Sequence, residues 1–529
     1  MILYTGITIG PIFDTISRAT VPSALWFSSI LFSDLNRRLC KGITASIPDA
    51  KIISPFYEEN ASDENDGVGV YHDRIIFSVD TDVAELEEKL GRIIAQARGE
   101  TAEQFPDTYI TPSLKAFLDS YLEIHYVILP QDQLENTSSV LAISPYLDAL
   151  ELMKTFPSCS LDDPFVKLFA NDDSRPGSEE SRNEAIRKSP LFPRNKKHYL
   201  VNRNSSIRSV SEIAANRGDR SMKHTRYFAV VNADGDSMGK FLEKLADEDV
   251  AKFSRACLQY AREASDLIAE FGGMPIYAGG DDLLFLAPVC GQLDGKACTV
   301  IDLCQTIHTR FSSAVESAFS GDTRSLSFPT LSFGVSVQYE KFPLYEALSL
   351  GRDLLSAAKN RSLFRDEENN AIKDNIALNV QKHSGQTFGI IIHNPEYEAF
   401  HELALAADGA DAPMVNSVLY TTGLFSPLLQ ILISETAKDL NSFPLEELEV
   451  RFLSVWNNLF DNPNQSSSRA CAKSIGKTFF QKMVRENNRL CPLKLSEASD
   501  STSGSLALDS LRSVLNWVKF LNEKAGEDE

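Results

Sequence analysis

Several features that define other protein classes are scarce in this sequence. Its eight cysteines never form a CxxC pair, so neither a zinc ribbon nor a redox-active dithiol is indicated. No uninterrupted run of about 18 apolar residues occurs, which argues against a membrane-spanning helix and a membrane partner. The amino-terminal residues MILYTGITIGPIF carry no basic segment and no small-residue cleavage site. We therefore expect a cytoplasmic protein.

Positive charge is in the minority, with 52 Lys and Arg against 73 Asp and Glu and a net charge of -21. Such a balance argues against a general nucleic-acid coat protein, which needs cations to neutralise phosphates. Residues 187–226 reverse it, with eleven Lys or Arg and two acids. This segment predicts a weak RNA or partner contact, although a solvated connector would have the same composition. Its candidate contact residues are Arg194, Lys196, Lys197 and Arg203.

The chain has 529 residues, too many for one hydrophobic core, and its periodicity changes along its length. Within residues 226–395 it predicts the order β-α-β-β-α-β followed by a helix, a ferredoxin-like α+β domain. The predicted elements are strand 227–231, helix 237–271, strands 274–277 and 283–286, helix 296–319, strand 331–337 and helix 344–360.

Residues 1–130 repeat this plan more weakly, which indicates internal duplication. The predicted elements are strand 2–9, helix 13–39, a hairpin of 69–71 with 75–79, helix 83–98 and strand 122–129. We predict a small, mainly helical intermediate domain at 131–225 and an all-α domain at 396–529.

The sequence NADGDSMGK at 232–240 lies where a predicted strand ends and a helix begins. A carboxylate at the strand end, Asp234, is placed to hold Mg²⁺. Gly235 and Gly239 would let backbone N–H groups approach a triphosphate closely. Asp236 and Ser237 are predicted to contact the nucleotide, although a simple helix cap explains this pair equally well.

The sequence GGDD at 279–282 lies between two short apolar runs and predicts a hairpin with acids at its tip. Alone it could be a tight turn. In a β-α-β-β layout, however, the first strand and the hairpin are neighbours, so Asp234 would meet Asp281 or Asp282. Carboxylates brought together repel one another, and two divalent cations, Mg²⁺ or Mn²⁺, would neutralise them. Two such ions suit the transfer of a phosphoryl group from a nucleoside triphosphate.

A predicted cation for this chemistry is Lys359, which lies near Arg352 and Arg361 on or just after helix 344–360. We expect Lys359 to neutralise β- and γ-phosphate charge, although a solvated lysine would fit the same pattern. The predicted catalytic metal ligands are Asp234, Asp281 and Asp282. The predicted nucleotide-binding residues are Asp236, Ser237, Gly239, Gly279, Gly280 and Lys359.

The amino-terminal copy lacks this set of acids. It keeps Asp73 in the sequence YHDRIIF, but Arg74 stands where the second copy has Asp282, and Gly10 and Pro11 replace the acids at the strand end. We expect this copy to hold no metal.

These residues resemble the palm domains of nucleotide cyclases and GGDEF-type diguanylate cyclases. The pairing of ADGDSMGK with GGDDLLF is more similar to the large polymerase/cyclase subunit of type III CRISPR effector complexes, of the Cmr type. Residues 6–35 resemble the first palm of that family, RSVSEIA at 208–214 the approach to its second palm, and NVQKHSG at 379–385 the end of that palm.

The resemblance implies two palm domains that form a composite pocket, with catalysis in the second. It implies a nucleotidyltransferase that converts ATP into cyclic oligoadenylate or a related messenger when a guide-bearing complex captures target RNA. The implied partners are the other subunits, guide RNA and target RNA. The implied metal ligands are Asp234, Asp281 and Asp282, with the main-chain carbonyl of Gly235.

Two departures from the family pattern lead to further expectations. The first palm begins at the first residues, so an HD nuclease domain and its DNase activity are not expected; the His72-Asp73 dipeptide lies in the degenerate hairpin. Only Cys159 lies between the palms, so no zinc is expected. Some relatives without the nuclease are thought to join AMP to S-adenosylmethionine, and this co-substrate stays open. A free-standing GGDEF-like cyclase and a non-catalytic scaffold are the competing interpretations.

Overall fold

The computed structural model describes most of the chain. The described ranges are 1–58, 67–134, 138–153, 163–169, 179–193, 200–202, 207–216, 221–322, 324, 326–360, 370–407, 412–460, 466–486, 490–493 and 503–525.

The amino-terminal part forms a four-stranded antiparallel sheet with helices on it, which we call the first palm. The elements are β1 (Ile2–Gly10), α1 (Ile12–Ile16), α2 (Pro22–Ser46), β2 (Lys51–Ser54), β3 (Arg74–Asp80), α3 (Val83–Ala102), α4 (Pro112–Tyr121) and β4 (Glu123–Pro130). The strands lie in the order β2-β3-β1-β4, the order of a ferredoxin-like domain.

Two predictions for the first palm are wrong. The single helix at 13–39 is divided into α1 and α2, because Pro22 starts α2 and Val21 before it is extended. The partner of β3 is β2 rather than residues 69–71. Gly69 instead bridges Tyr277 of the second sheet, and its carbonyl accepts a hydrogen bond from the Ala278 N–H at 2.8 Å. Tertiary contact between the domains therefore overrides the local strand pattern.

Helices connect the two sheets. Within the described ranges they are α5 (Ser139–Glu151), α6 (Pro164–Phe169), α7 (Glu179–Arg187) and α8 (Val210–Ala215). Helix α8 starts with a capping box between Ser209 and Glu212 and ends at Asn216 in the left-handed conformation, so both of its ends are sequence-encoded.

The central part, the second palm, contains the larger sheet. Its elements are β5 (Tyr227–Asp236), α9 (Met238–Leu242), α10 (Asp247–Phe271), β6 (Met274–Gly279), β7 (Asp282–Pro288), β8 (Cys290–Leu293), β9 (Lys296–Thr299), α11 (Val300–Ala318), β10 (Thr330–Tyr339), α12 (Leu344–Asn360), β11 (Asn375–Gln381) and β12 (Thr387–His393).

The second palm repeats the strand order of the first. Strands β10-β5-β7-β6 are arranged as β4-β1-β3-β2 are, and β11, β12 and the short strand β13 (Cys491–Pro492) extend the sheet beyond β10. Strand β5 lies between β7 and β10 and pairs antiparallel with both. The α+β prediction with two ferredoxin-like palms is confirmed, and helix 344–360 has the bounds predicted.

Two further helix predictions need correction. Helix 237–271 is divided into α9 and α10, and α10 begins with three acids, Asp247, Glu248 and Asp249, which favour a helix start. Residues 296–299 are a strand, because Asp294 and Gly295 take positive φ values of 50° and 73° and form a tight hairpin. Helix α11 then starts at Val300, behind a capping box of Thr299 and Asp302.

The carboxy-terminal part is helical, as predicted, apart from a two-residue strand that pairs with β12. Its elements are α13 (Tyr397–Ala406), α14 (Ala412–Leu424), α15 (Ser426–Asp439), α16 (Leu445–Leu459), α17 (Ser466–Phe479), β13 (Cys491–Pro492) and α18 (Ser503–Asn522), with a π-helical turn at Phe480–Arg485. Trp456 and Trp517 are fully buried in its core.

The end of α18 is bound to the residues that lead into β5. Lys223 N–H donates to the Glu523 carbonyl at 2.8 Å, and Phe520 packs edge-on against Tyr227 with 5.0 Å between ring centroids. The helical part thus supports the strand that carries Asp234.

Among the helices that the structure describes, none alone is long and apolar enough to cross a membrane. Helices α14 and α15 pass that test only as a pair, which is bent by 80°.

Helix α12 lies directly on β10 at Gly334. A Cβ atom on Gly334 would lie 2.2 Å from the Leu355 backbone nitrogen and 2.3 Å from the Gly351 carbonyl oxygen. We expect Gly334→Ala to destabilise the protein by about 1–3 kcal/mol, because the helix backbone must move. Thermal and urea unfolding of the full chain would measure this.

The matched control is Gly91→Ala in α3, where an added Cβ meets nothing within 4 Å. It should raise stability by about 0.5–1 kcal/mol through helix propensity. Equal changes in the free energy of unfolding for the two variants would contradict the close contact between α12 and β10.

Candidate active site between the two palms

The two acidic motifs converge at one edge of the second sheet. Asp234 is near the end of β5, and the adjacent β7 begins at Asp282. The pairing of Ala233 with Leu283 places Asp234 next to the hairpin tip. The predicted approach of Asp234 to the GGDD hairpin is therefore present in the fold.

Glycine is required where these motifs meet. A Cβ atom on Gly235 would lie 2.1 Å from Oδ2 of Asp281, so only glycine lets that carboxylate approach β5. Gly280 has a φ of +69°, in the left-handed region that the turn needs. A Cβ on Gly279 would lie 2.1 Å from the Tyr277 hydroxyl. These glycines shape the acidic edge, and their predicted contact with a nucleotide stays a prediction.

Crowding raises the pKa of two of these carboxylates, Asp281 and Asp282. Burial first, and then the charge of Asp234, raise the pKa of Asp281 to about 6. The pKa of Asp282 is raised well above its usual range by the protein atoms around it, then by Asp281 and Asp234. Asp282 is nevertheless exposed to a cavity, so a solute can reach it. Asp281 and Asp282 therefore need a positive counter-charge to be ionised.

Lys359 supplies part of that charge from the last turn of α12. Its ammonium donates hydrogen bonds to Oδ2 of Asp234 and, at 2.8 Å, to the carbonyl oxygen of Gly235. The lysine predicted to bind phosphate is therefore at the site, and in this state it contacts the carboxylate edge itself.

Asp236 is not placed to contact a nucleotide, contrary to the prediction. It is 1% exposed. Its Oδ2 accepts hydrogen bonds from Thr330 Oγ1 at 3.1 Å, Ser332 Oγ at 2.8 Å and the Asp374 N–H at 2.9 Å. Burial raises its pKa, and these donors and Lys359 oppose the rise. Asp236 therefore joins β5, β10 and the start of β11 beneath the site.

Ser237 and Gly239 lie on the exposed side of the motif. Ser237 has a φ of 58° and precedes α9, but its side chain makes no capping hydrogen bond. An added Cβ on Gly239 would meet nothing within 4 Å. The helix-cap interpretation is therefore not supported for Ser237, and both positions are open to a ligand.

A cavity of about 480 Å³ lies between this edge and the first palm. Arg352 of α12 places its guanidinium 3.5 Å from the ring centroid of Phe13, which joins the palms at the cavity wall. The lining includes Thr8, Gly10, Pro11, Phe13, Asp14, Asp73, Glu123, His125 and Glu151 of the first palm and α5, and Asn232, Tyr277, Asp282, Leu348 and Arg352 of the second palm.

In the first palm, the residue at the position equivalent to Asp282 is Arg74, which forms ion pairs. Arg74 starts β3, and its guanidinium binds Asp148 at 2.6 Å and Glu151 at 2.7 Å. An arginine held by two carboxylates therefore occupies this position, and the absence of a metal from this copy stays a prediction.

Several residues of the site were not predicted. The Tyr277 phenol lies beside the acids, and burial with the charges of Asp282 and Asp73 raises its pKa well above the usual range. A Cβ atom on Gly280 would lie 4.0 Å from Cδ2 of His72 in the first palm, so the palms meet at the hairpin turn. The position of Tyr277 just before GGDD is a signal that sequence reasoning could have used; the meeting of Arg352 with Phe13 has no sequence signal.

The predicted basic contacts Arg194, Lys196, Lys197 and Arg203 lie outside the described residues. Two other basic residues of residues 187–226 make internal contacts. Arg208 donates to the Gly272 carbonyl at 2.9 Å, and Lys223 lies 3.6 Å from Glu523.

Divalent cations fit the chemistry of this edge. Asp234, Asp281 and Asp282 with the Gly235 carbonyl offer hard oxygen donors, which Mg²⁺ and Mn²⁺ prefer. Among the described residues, no three His, Cys, Asp or Glu side chains form a ready metal-binding group. Mg²⁺ commonly binds one or two carboxylates together with water and substrate phosphates, so a complete protein cage is not required.

The site lies in the segment that matches a known family. Residues 227–369 match the model for Cas10/Cmr2, second palm domain. The CRISPR system Cmr subunit Cmr2 of Pyrococcus furiosus is 28% identical over 189 residues, 31% of this chain and 19% of that protein. The chain's match thus spans about a fifth of that curated relative.

Two cryo-EM structures share the overall fold. They are type III-B Cmr-beta in the apo state and bound to cognate target RNA, each with a TM-score of 0.54 and 12% identity. The alignments cover 97% of this chain and 82% and 83% of those chains.

Two like-ordered palms, one with an acidic hairpin facing the other, define a double-palm protein with a nucleotide-cyclase-like fold. Within it, residues 227–369 are similar to the second palm domain of Cas10/Cmr2 proteins.

The raised pKa of Asp281 predicts a pH-dependent stability change. A carboxyl with a higher pKa in the folded than in the unfolded protein destabilises the fold above its folded pKa, and this penalty disappears as the pH falls toward about 4. Asp281→Asn should therefore stabilise the metal-free protein by about 1–2 kcal/mol at pH 8, after allowance for partial exposure. The gain should be lost by about pH 4. Urea unfolding at the two pH values would measure it.

Asp322→Asn is the control, and it should change the stability at pH 8 in the opposite direction. A hydrogen bond from Arg324 lowers the pKa of Asp322 to about 2, so its charge favours the folded state at pH 8. Its replacement should destabilise the protein there and matter less in acid. A pH-independent effect of Asp281→Asn would contradict the crowding of the carboxylates.

Proposed function

We propose that this protein is a nucleotidyltransferase of a type III CRISPR system that makes cyclic oligoadenylate or a related adenylate messenger from ATP. The observation that carries the proposal is the convergence of Asp234, Asp281 and Asp282 at one edge of the second sheet, where Asp282 lines a cavity that the first palm closes. The catalytic domain is the second palm, residues 226–395, and the other proposed divisions are 1–130, 131–225 and 396–529.

Asp234, Asp281 and Asp282 with the Gly235 carbonyl would hold two Mg²⁺ or Mn²⁺ ions. Such ions supply activation of the attacking hydroxyl and neutralisation of the triphosphate. Lys359 is within reach of the same edge and would balance charge on the β- and γ-phosphates. Gly279, Gly280, Gly239 and Ser237 present backbone and side-chain groups that are compatible with close nucleotide approach.

The first palm supplies the acceptor side of the cavity. The wall formed by the first palm and α5 includes four carboxylates, Asp14, Asp73, Glu123 and Glu151, of which Glu151 is paired with Arg74, and Arg352 of the second palm also lines the cavity. An acidic wall disfavours a second triphosphate and favours an acceptor with positive charge. This supports the second candidate reaction, in which AMP is joined to S-adenosylmethionine.

Two competing functions are less well supported. A free-standing GGDEF-like cyclase usually pairs identical palms from two chains, whereas here a degenerate palm in the same chain faces the acids. A non-catalytic scaffold would have no need to keep three carboxylates close together.

A nuclease role for His72 and Asp73 is not proposed. The His72 Nε2 lies 3.1 Å from Ser54 Oγ, and Nδ1 accepts a hydrogen bond from the Arg74 N–H at 3.3 Å. Both ring nitrogens thus have partners within the first palm.

The proposed partners are the other subunits of a type III complex, guide RNA and target RNA. The fold shared with Cmr-beta over 97% of the chain supports this assignment. The net charge of -21 suits docking onto basic, RNA-binding subunits.

The proposal predicts an activity that depends on the acidic edge. The protein, assembled with its partner subunits, guide and target RNA, should release pyrophosphate from labelled ATP with Mg²⁺ or Mn²⁺ and form a new adenylate product. Asp281→Asn/Asp282→Asn should lower the rate at least about 100-fold, because metal support of the transition state is worth several kcal/mol. Glu263→Gln, an exposed change on α10, should keep the wild-type rate. Equal rates in all three proteins would reject this catalytic site.

The acceptor is identified by repeating the reaction with labelled S-adenosylmethionine. A product that carries both labels would establish the cationic acceptor that the acidic wall favours. A product that carries only the ATP label would assign ATP as the acceptor.

A further inference from the structure

Lys359 lies where a metal ion would be expected to lie. Its ammonium binds Oδ2 of Asp234 and the carbonyl oxygen of Gly235, two of the oxygen donors proposed for divalent cations. The side chain is 14% exposed, so these hydrogen bonds are largely shielded from water. An ammonium shielded in this way competes directly with a metal ion for the same oxygens.

Electrostatics explains this position. Asp234 lies beside Asp281 and Asp282, and a charged carboxylate in such a group requires a nearby cation. A lysine fixed on α12 is always available for this purpose. Each of its hydrogen bonds to the edge is charge-assisted and therefore stronger than a neutral one.

A second carboxylate is within reach of the same ammonium. Oδ1 of Asp236 lies 3.9 Å from Nζ of Lys359. Among the residues that the structure describes, this buried oxygen accepts no hydrogen bond, whereas Oδ2 of the same group accepts three. Asp236 therefore attracts Lys359 from beneath the site and can keep it nearby when it leaves Asp234.

We infer that Lys359 is a tethered counter-ion that occupies the metal position until a nucleotide-bound cation displaces it. The inference rests on the proposed metal site. When a free divalent ion displaces the ammonium, Lys359 loses its hydrogen bonds to Asp234 and Gly235 and gains no new anionic partner. An ion that arrives with a triphosphate brings new anionic partners for Lys359, so nucleotide and metal bind together more strongly than separately. Bare metal then binds weakly to the resting protein.

The test measures Mn²⁺ alone, without nucleotide, on the purified full-length chain. Loss of the free Mn²⁺ signal in electron paramagnetic resonance gives the Kd. Lys359→Met should bind Mn²⁺ at least about tenfold more tightly than wild type, because one charge-assisted contact no longer competes. Lys359→Arg keeps the charge and should stay within about threefold of wild type. Adding Asp234→Asn to Lys359→Met should reverse the gain.

Arg352→Met is the matched control for simple loss of positive charge. It removes a cation from the cavity wall that contacts Phe13 rather than the acids, so it should tighten Mn²⁺ binding less than about threefold. An unchanged Kd for Lys359→Met, or an equal gain for Arg352→Met, would overturn the inference. The result is independent of product formation: tighter Mn²⁺ binding with no adenylate product would reject the proposed function alone.

Discussion

Repulsion among three carboxylates at one edge of the second sheet is the constraint on which the surrounding structure depends. Asp234, Asp281 and Asp282 lie so close that burial and mutual charge raise the pKa of Asp281 and Asp282. Such an arrangement persists only if the fold around it is rigid and a cation is available. The ladder of β5 with β7 and β10 supplies the rigidity, and α12 supplies Lys359.

Contacts at increasing distance from this edge hold its strands and helix α12 in place. Asp236 joins β5 to β10 and to the start of β11 through three hydrogen bonds to one oxygen. Gly334 allows α12 to lie on β10, and the close approach fixes the helix that ends in Lys359. Hydrogen bonds between the residues that follow α18 and those that lead into β5 add support from the helical part. Residues away from the acidic edge thus determine where its carboxylates lie.

The first palm contributes a wall of the cavity rather than a second set of acids. This palm keeps the strand order of its counterpart, and Arg74, held by Asp148 and Glu151, stands where the second palm has Asp282. Its surface instead closes the cavity, and Gly69 and His72 meet the acidic hairpin of the second palm. The two palms share a strand order but differ in their acids, so the cavity between them is asymmetric.

The sequence by itself determined the two palms, the bounds of α12 and the meeting of Asp234 with the GGDD hairpin. These features follow from local information: apolar periodicity, glycines at turns, and strand order in a known layout. The start of α2 at Pro22 and the hairpin turn at Asp294 and Gly295 are also encoded locally, although the apolar periodicity did not predict them. Only the tertiary structure decided that β2 rather than residues 69–71 pairs with β3, that Asp236 is buried, and that Lys359 binds Asp234. Each of these depends on contacts between residues far apart in the chain, where burial and charge, rather than local pattern, select the partner.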